Sequence, residues 1–68
     1  MKTNDIGRKL RMAREGRQIS CHALAKRMGV STSTVTRWEA GKDLHVSMFL
    51  RACHALAVKP ERLIGSLA

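Results

Sequence analysis

Thr32, Ser33, Thr36 and Arg37 stand at positions i, i+1, i+4 and i+5, and each side chain carries hydrogen-bonding groups. On an α-helix such positions share one side. Val35 and Trp38, three residues apart in the same stretch, are apolar anchors that would turn inward and leave the polar set outward. Ser and Thr are mediocre helix formers, so helix stability does not account for this face. Its chemistry suits the edges of base pairs in a major groove. A short hydroxyl donates and accepts, a Thr methyl can meet a thymine methyl, and one guanidinium can span guanine O6 and N7, with a discrimination of about 1–3 kcal/mol. The competing reading is a solvated polar face with repeated Ser and Thr capping contacts.

The remaining reactive side chains do not assemble into a known chemistry. Cys21 and Cys53 match neither a redox CxxC pair nor a zinc spacing, and in a reducing compartment they are expected as free thiols. His22, His45 and His54 add possible ligands. Neighbours such as Cys21 and His22 diverge by roughly 100° on a helix, so no metal site is expected. There is no Gly-rich phosphate loop and no nucleophile elbow. The expectation is a protein without catalytic residues, metal, cofactor or small-molecule substrate.

The elements around this face must fit in 68 residues, enough for one domain with a marginal core. Such a core is packed economically or completed by a partner subunit. Thirteen Lys and Arg against five Asp and Glu give a formal charge of +8. A chain this basic gathers near polyanions, of which nucleic acid is the commonest soluble one and an acidic membrane surface the competitor. No apolar run approaches the roughly 20 residues of a bilayer span. The opening MKTNDIGRKL has no signal-like apolar stretch, so the expected location is the cytoplasm and no membrane partner is expected.

Periodicity and caps predict five helices and no strand, hence an all-α domain over residues 1–68. The first runs from about Asp5 to Arg17, with Asn4 as N-cap and Ile6, Leu10 and Ala13 as its inward stripe. The second opens at the N-cap Ser20 and closes near Met28, where Gly29 supplies a positive φ. Ser31 caps the third, which continues to about Ala40 and stops at Gly41. The fourth runs from Val46 to Ala57 with Val46, Phe49, Leu50, Cys53 and Leu56 facing in. Pro60 suits the first position of a fifth, whose apolar face is Leu63, Ile64 and Leu67.

Residues 20–40 are the most specific stretch. Two short helices are joined by a turn of about three residues at Gly29, with the small Ala25 where the backbones approach. The whole set resembles the lambda-repressor-like (Cro/CI, XRE-type) helix-turn-helix family. The matching residues are Leu24-Ala25, Gly29-Val30-Ser31, Val35, Trp38-Glu39 and Gly41. Leu10-Arg11, Arg14-Glu15, Phe49-Leu50 and Ala55-Leu56-Ala57-Val58 extend the likeness over nearly the whole chain.

The resemblance implies a compact five-helix domain whose third helix enters the major groove of double-stranded DNA, usually as a homodimer on two-fold related half-sites. By position it implies base reading by Thr32, Ser33 and Arg37, with Thr36 close behind. It implies phosphate contacts at Ser31, Thr34 and Lys42, and at the start of the second helix, Ser20 and Cys21. Arg14 and Glu39 match a pair that ties the first helix to the end of the third. The sequence departs from the family at Cys21, where Gln is usual; the helix N-terminus can still bind phosphate there, and a redox-sensing thiol stands against an inert small residue. It departs again at Gln18, where Gly commonly closes the first helix, implying backbone strain or a different turn.

The expected function is therefore a sequence-specific transcriptional regulator, most simply a Cro-like or autoregulatory repressor. Dimerisation is expected through Leu63, Ile64 and Leu67, with half-sites about 34 Å apart; the alternative is that these side chains only cap the monomer core. With no further domain in these residues, occupancy would follow protein concentration. An antitoxin or a restriction–modification control protein would share the domain. An RNA or protein interaction module is the reading from another class, disfavoured because Trp38 and Phe49 look buried rather than available for stacking. A membrane-surface helix is disfavoured because the basic residues spread over several helices that share a core.

Overall fold

Caps and left-handed turns divide the chain into five helices: α1 (Thr3–Gly16), α2 (Cys21–Met28), α3 (Thr32–Glu39), α4 (Val46–Ala55) and α5 (Pro60–Ile64). The computed structural model describes the backbone of residues 3–64 and side chains from Ile6 to Ile64; Leu67, expected on the last apolar face, lies outside the described residues. Ser20 Oγ accepts from the Ala23 amide at 3.0 Å and Ser31 Oγ from the Thr34 amide at 3.2 Å. Each such cap contributes about 1 kcal/mol. At the first helix the expectation is corrected: α1 already includes Thr3, so Asn4 lies inside it. Thr3-Asn4-Asp5 offers three cap-type residues in a row, and side-chain type alone does not choose among them.

One device closes four of the helices. Gln18, Gly29, Gly41 and Ala57 all have φ between 57° and 86°, in the left-handed region (58°, 71°, 85° and 58°). In each case the next amide reaches back five residues: Ile19 to Arg14, Val30 to Ala25, Lys42 to Arg37 and Val58 to Cys53, at 3.1, 3.0, 2.8 and 3.0 Å. This is the Schellman closure, which satisfies orphan carbonyls at the helix end. Glycine takes that conformation without cost; Gln18 and Ala57 do not. The turn at Gln18 is thus the usual one, made with a residue that strains it. Ala57 also ends α4 two residues earlier than the apolar pattern predicts.

The core is formed by Leu10 of α1, Leu24, Ala25 and Met28 of α2, Val35 and Trp38 of α3, and Ala52 and Leu56 of the α4 region. Phe49 and Cys53 are also buried. Ala25, expected as the small residue of the pair, is 2% exposed within this core. The α4 face needs a second correction: Val46 is 74% exposed and Leu50 45%. Phe49, Ala52, Cys53 and Leu56 set the direction of the buried stripe. Leu50 stands about 100° away from Phe49 around the helix, and Val46 is the first residue of α4. Ala52, too small to weigh in a hydropathy pattern, takes the interior place.

Candidate nucleic-acid interface

Val35 and Trp38 are buried on the inner side of α3, Trp38 at 3% exposure, while Thr32, Ser33, Thr36 and Arg37 are all exposed on the outer side. One helix thus separates an apolar inner stripe from a polar outer one. Ser31 Oγ lies 2.7 Å from Thr34 Oγ1 and 3.1 Å from Ser33 Oγ, a hydroxyl cluster around the helix start. Thr36 Oγ1 donates to the Thr32 carbonyl at 3.1 Å. Its donor is occupied within the helix, and what it presents outward is a methyl and acceptor capacity. Thr32 Oγ1 meets His22 Nδ1 of α2 at 3.4 Å, a contact that nothing in the spacing of either helix signals.

The start of α2 is turned two ways. The Ser20 hydroxyl caps the helix, and the amides of Cys21 and His22 precede the first intrahelical bonds, so this end attracts anions. The half-buried Cys21 thiol instead donates inward to Glu39 Oε1 at 3.8 Å. At this position the helix end, rather than the side chain, is what faces outward. Lys42 is exposed immediately after Gly41, with its amide tied to Arg37.

Arg14 and Glu39 join α1 to the end of α3. Arg14 Nε donates to Glu39 Oε2 at 2.7 Å, Nη2 to Oε1 at 3.1 Å, and Nη1 to the Ile19 carbonyl at 2.8 Å. The pair is bidentate, and both side chains are nearly buried. Bonding to Glu39 holds the guanidinium even more firmly protonated than usual, outweighing the opposing effect of burial. No buried side-chain nitrogen or oxygen among the described residues lacks a hydrogen-bond partner. The loop after α3 contributes a second ion pair that the sequence reading did not contain: Arg37 Nη2 donates to Asp43 Oδ2, with both side chains exposed.

A family model described as a helix-turn-helix domain matches residues 5–64. The chain belongs to the helix-turn-helix domain family, within its lambda-repressor-like clan. Comparison with curated proteins and with solved structures gave no match. As a helix-turn-helix domain the chain is a DNA-binding protein, of a kind that points to a non-enzymatic regulator of transcription. α2 and α3 are the two helices of that motif, α3 being the one with the polar outer stripe. Among the described residues no helix is long and apolar enough to cross a membrane.

Proposed function

We propose that this helix-turn-helix protein is a sequence-specific repressor of Cro-like or autoregulatory type, working as a homodimer on a two-fold symmetric operator. The observation that carries the reading is the division of α3, with Trp38 and Val35 inside and Thr32, Ser33, Thr36 and Arg37 outside. A helix with its side chains is about 10–12 Å across, and the major groove about 12 Å wide, so this face fits within it. Thr32 and Ser33, in the first turn, and Arg37, one turn on, read base edges. Thr36 contributes its methyl, since its hydroxyl is engaged with Thr32.

Phosphates are held by the helix ends and by Lys42. The start of α2 at Ser20 and Cys21 binds one through backbone amides, and the hydroxyls of Ser31 and Thr34 meet the backbone beside α3. The charge of +8 supports the sequence-independent part of the affinity. Leu63 and Ile64, half-buried and 39% exposed respectively, form the described part of the dimer surface. No residue of α5 is fully buried, and the exposed Ile64 gives this helix an apolar point for a second copy to cover.

Selection of bound duplexes from a random pool tests this directly. The expected product is a symmetric site with half-sites one turn apart, about 34 Å. Failure to enrich any sequence at physiological salt would refute the repressor reading. An unchanged sedimentation mass after Leu63→Ser and Ile64→Ser would remove α5 from the dimer.

A further inference from the structure

We infer that Asp43 is a specificity-determining residue that works through Arg37, an inference that rests on the base-reading role proposed for α3. The two are brought together by the closure of α3. Gly41 turns left-handed at φ 85°, the Lys42 amide returns to the Arg37 carbonyl at 2.8 Å, and Asp43 turns left-handed again at φ 57°. The loop is thereby folded back over the last turn of α3. The Asp43 carboxylate accepts a hydrogen bond from Arg37 Nη2. Asp is among the few residues other than glycine that visit this backbone region readily. Thr34, Arg37, Trp38 and Asp43 line one small cleft at this corner.

Asp43 is oddly placed for a protein that binds a polyanion. Among the described acids, Glu39 is nearly buried against Arg14, Glu15 pairs with Arg11 on α1, and Glu61 belongs to α5. Asp43 alone of these pairs with a side chain of the outer face of α3. A carboxylate there opposes phosphate, so it lowers affinity for every duplex by its charge. Its gain is in discrimination. An unaccompanied guanidinium at the end of a helix binds whichever phosphate it meets, irrespective of sequence. Paired with Asp43, Arg37 carries little net charge toward the backbone, and its plane is held.

The contact with Asp43 engages Nη2, and a guanidinium has five donors in a fixed fork. Nη2 carries two hydrogens, so one remains to pair with Nη1 or with Nε–H in a two-bond fork on a base edge while the carboxylate keeps the other. Exposed ion pairs are individually weak, so the pair does not prevent Arg37 from adjusting to a correct base. A wrong base, with no acceptors to compensate, leaves Arg37 with Asp43. The loop carboxylate thus converts Arg37 from a general cation into a reader.

The test measures binding of the full chain to its selected site and to random-sequence duplex across a salt series. Asp43→Ala and Asp43→Asn are each made alone and in an Arg37→Ala background. Asn tolerates the left-handed turn and keeps the shape without the charge. Both single variants are expected to bind random duplex more tightly, with the salt slope steeper by about one unit. The ratio of specific to random binding should fall by about tenfold for Asp43→Ala, the scale of one bidentate base contact. With Arg37 already removed, Asp43→Ala should change that ratio by less than about twofold. An equal change with and without Arg37 would overturn the inference, because the carboxylate would then act only as net charge. So would a wild-type ratio retained in both single variants of a chain that does select a site. If the wild type prefers no duplex at all, the repressor proposal itself fails, and this inference fails with it.

Discussion

Gly7 of α1 lies against the end of α3 so closely that a Cβ built on it would stand 2.4 Å from the Trp38 carbonyl oxygen. The Glu39 carbonyl oxygen and the Gly41 amide nitrogen would be at 3.0 and 3.1 Å. These are backbone atoms, which cannot swing aside as a side chain does. Glycine inside a helix ordinarily costs about 1 kcal/mol relative to alanine; here it permits α1 to seat α3. Gly7→Ala is therefore expected to destabilise the domain by about 1–3 kcal/mol, as overpacking does, despite alanine's better helix propensity. Thermal unfolding followed by circular dichroism checks this. A midpoint equal to or above that of wild type would contradict the close approach.

The Arg14–Glu39 pair ties the same two helices about two turns further along α1. Removing one partner strands the other's charge in a nearly dry site, which costs about 3–5 kcal/mol. Glu39→Ala should cost that much in a denaturant melt. The double variant Arg14→Met with Glu39→Leu should recover most of the loss, because no charge is then left unpaired. A double variant as unstable as the single would mean that the hydrogen bond of the Arg14 guanidinium to the Ile19 carbonyl, rather than its pairing, holds the corner.

Cys53 gives the pH dependence a sign. Burial, with a smaller contribution from Glu61, pushes its thiol above the ordinary value of 9.0. The unfolded chain then releases this proton at a pH where the folded chain retains it. Stability is fully present below the ordinary thiol range and declines as pH rises from there through the folded value. Melting curves from pH 7 upward should show a fall beyond about pH 9. Cys53→Ala, whatever its baseline, should reduce the slope. Identical slopes in the two proteins would show that the thiol is not the group responsible.

Arg37 and Lys42 are expected to fail in different ways when truncated. Lys42→Ala should weaken every duplex alike and flatten the dependence of log K on log salt by about one unit. Arg37→Ala should weaken the selected site by about 1–3 kcal/mol and leave random duplex nearly unchanged. Equal losses on both duplexes for Arg37→Ala would assign it to phosphate rather than to bases.

Much of this architecture is legible along the chain. Ser20 and Ser31 announce their helices because capping involves residues three apart, and Gly29 and Gly41 announce the ends because few other residues turn left-handed freely. Where the same turn is made by Gln18 and Ala57, the signal disappears and the boundary slips. Leu50 and Val46 misled for a related reason. An apolar period defines a stripe only to within a residue, and whether its edge is covered depends on what packs opposite.

Composition, helical period and caps by themselves determined the five-helix order, the inward turn of Val35 and Trp38, and the outward polar face of α3, since each depends on neighbours within about two helical turns. Only the tertiary structure decided that Gly7 seats α3, that Cys21 turns toward Glu39, that His22 meets Thr32 and that Asp43 holds Arg37. Those relationships join different elements, or a helix to a loop folded back on it. They are set by how closely the backbones approach and which side chains are left facing one another, geometry that no one-dimensional pattern contains.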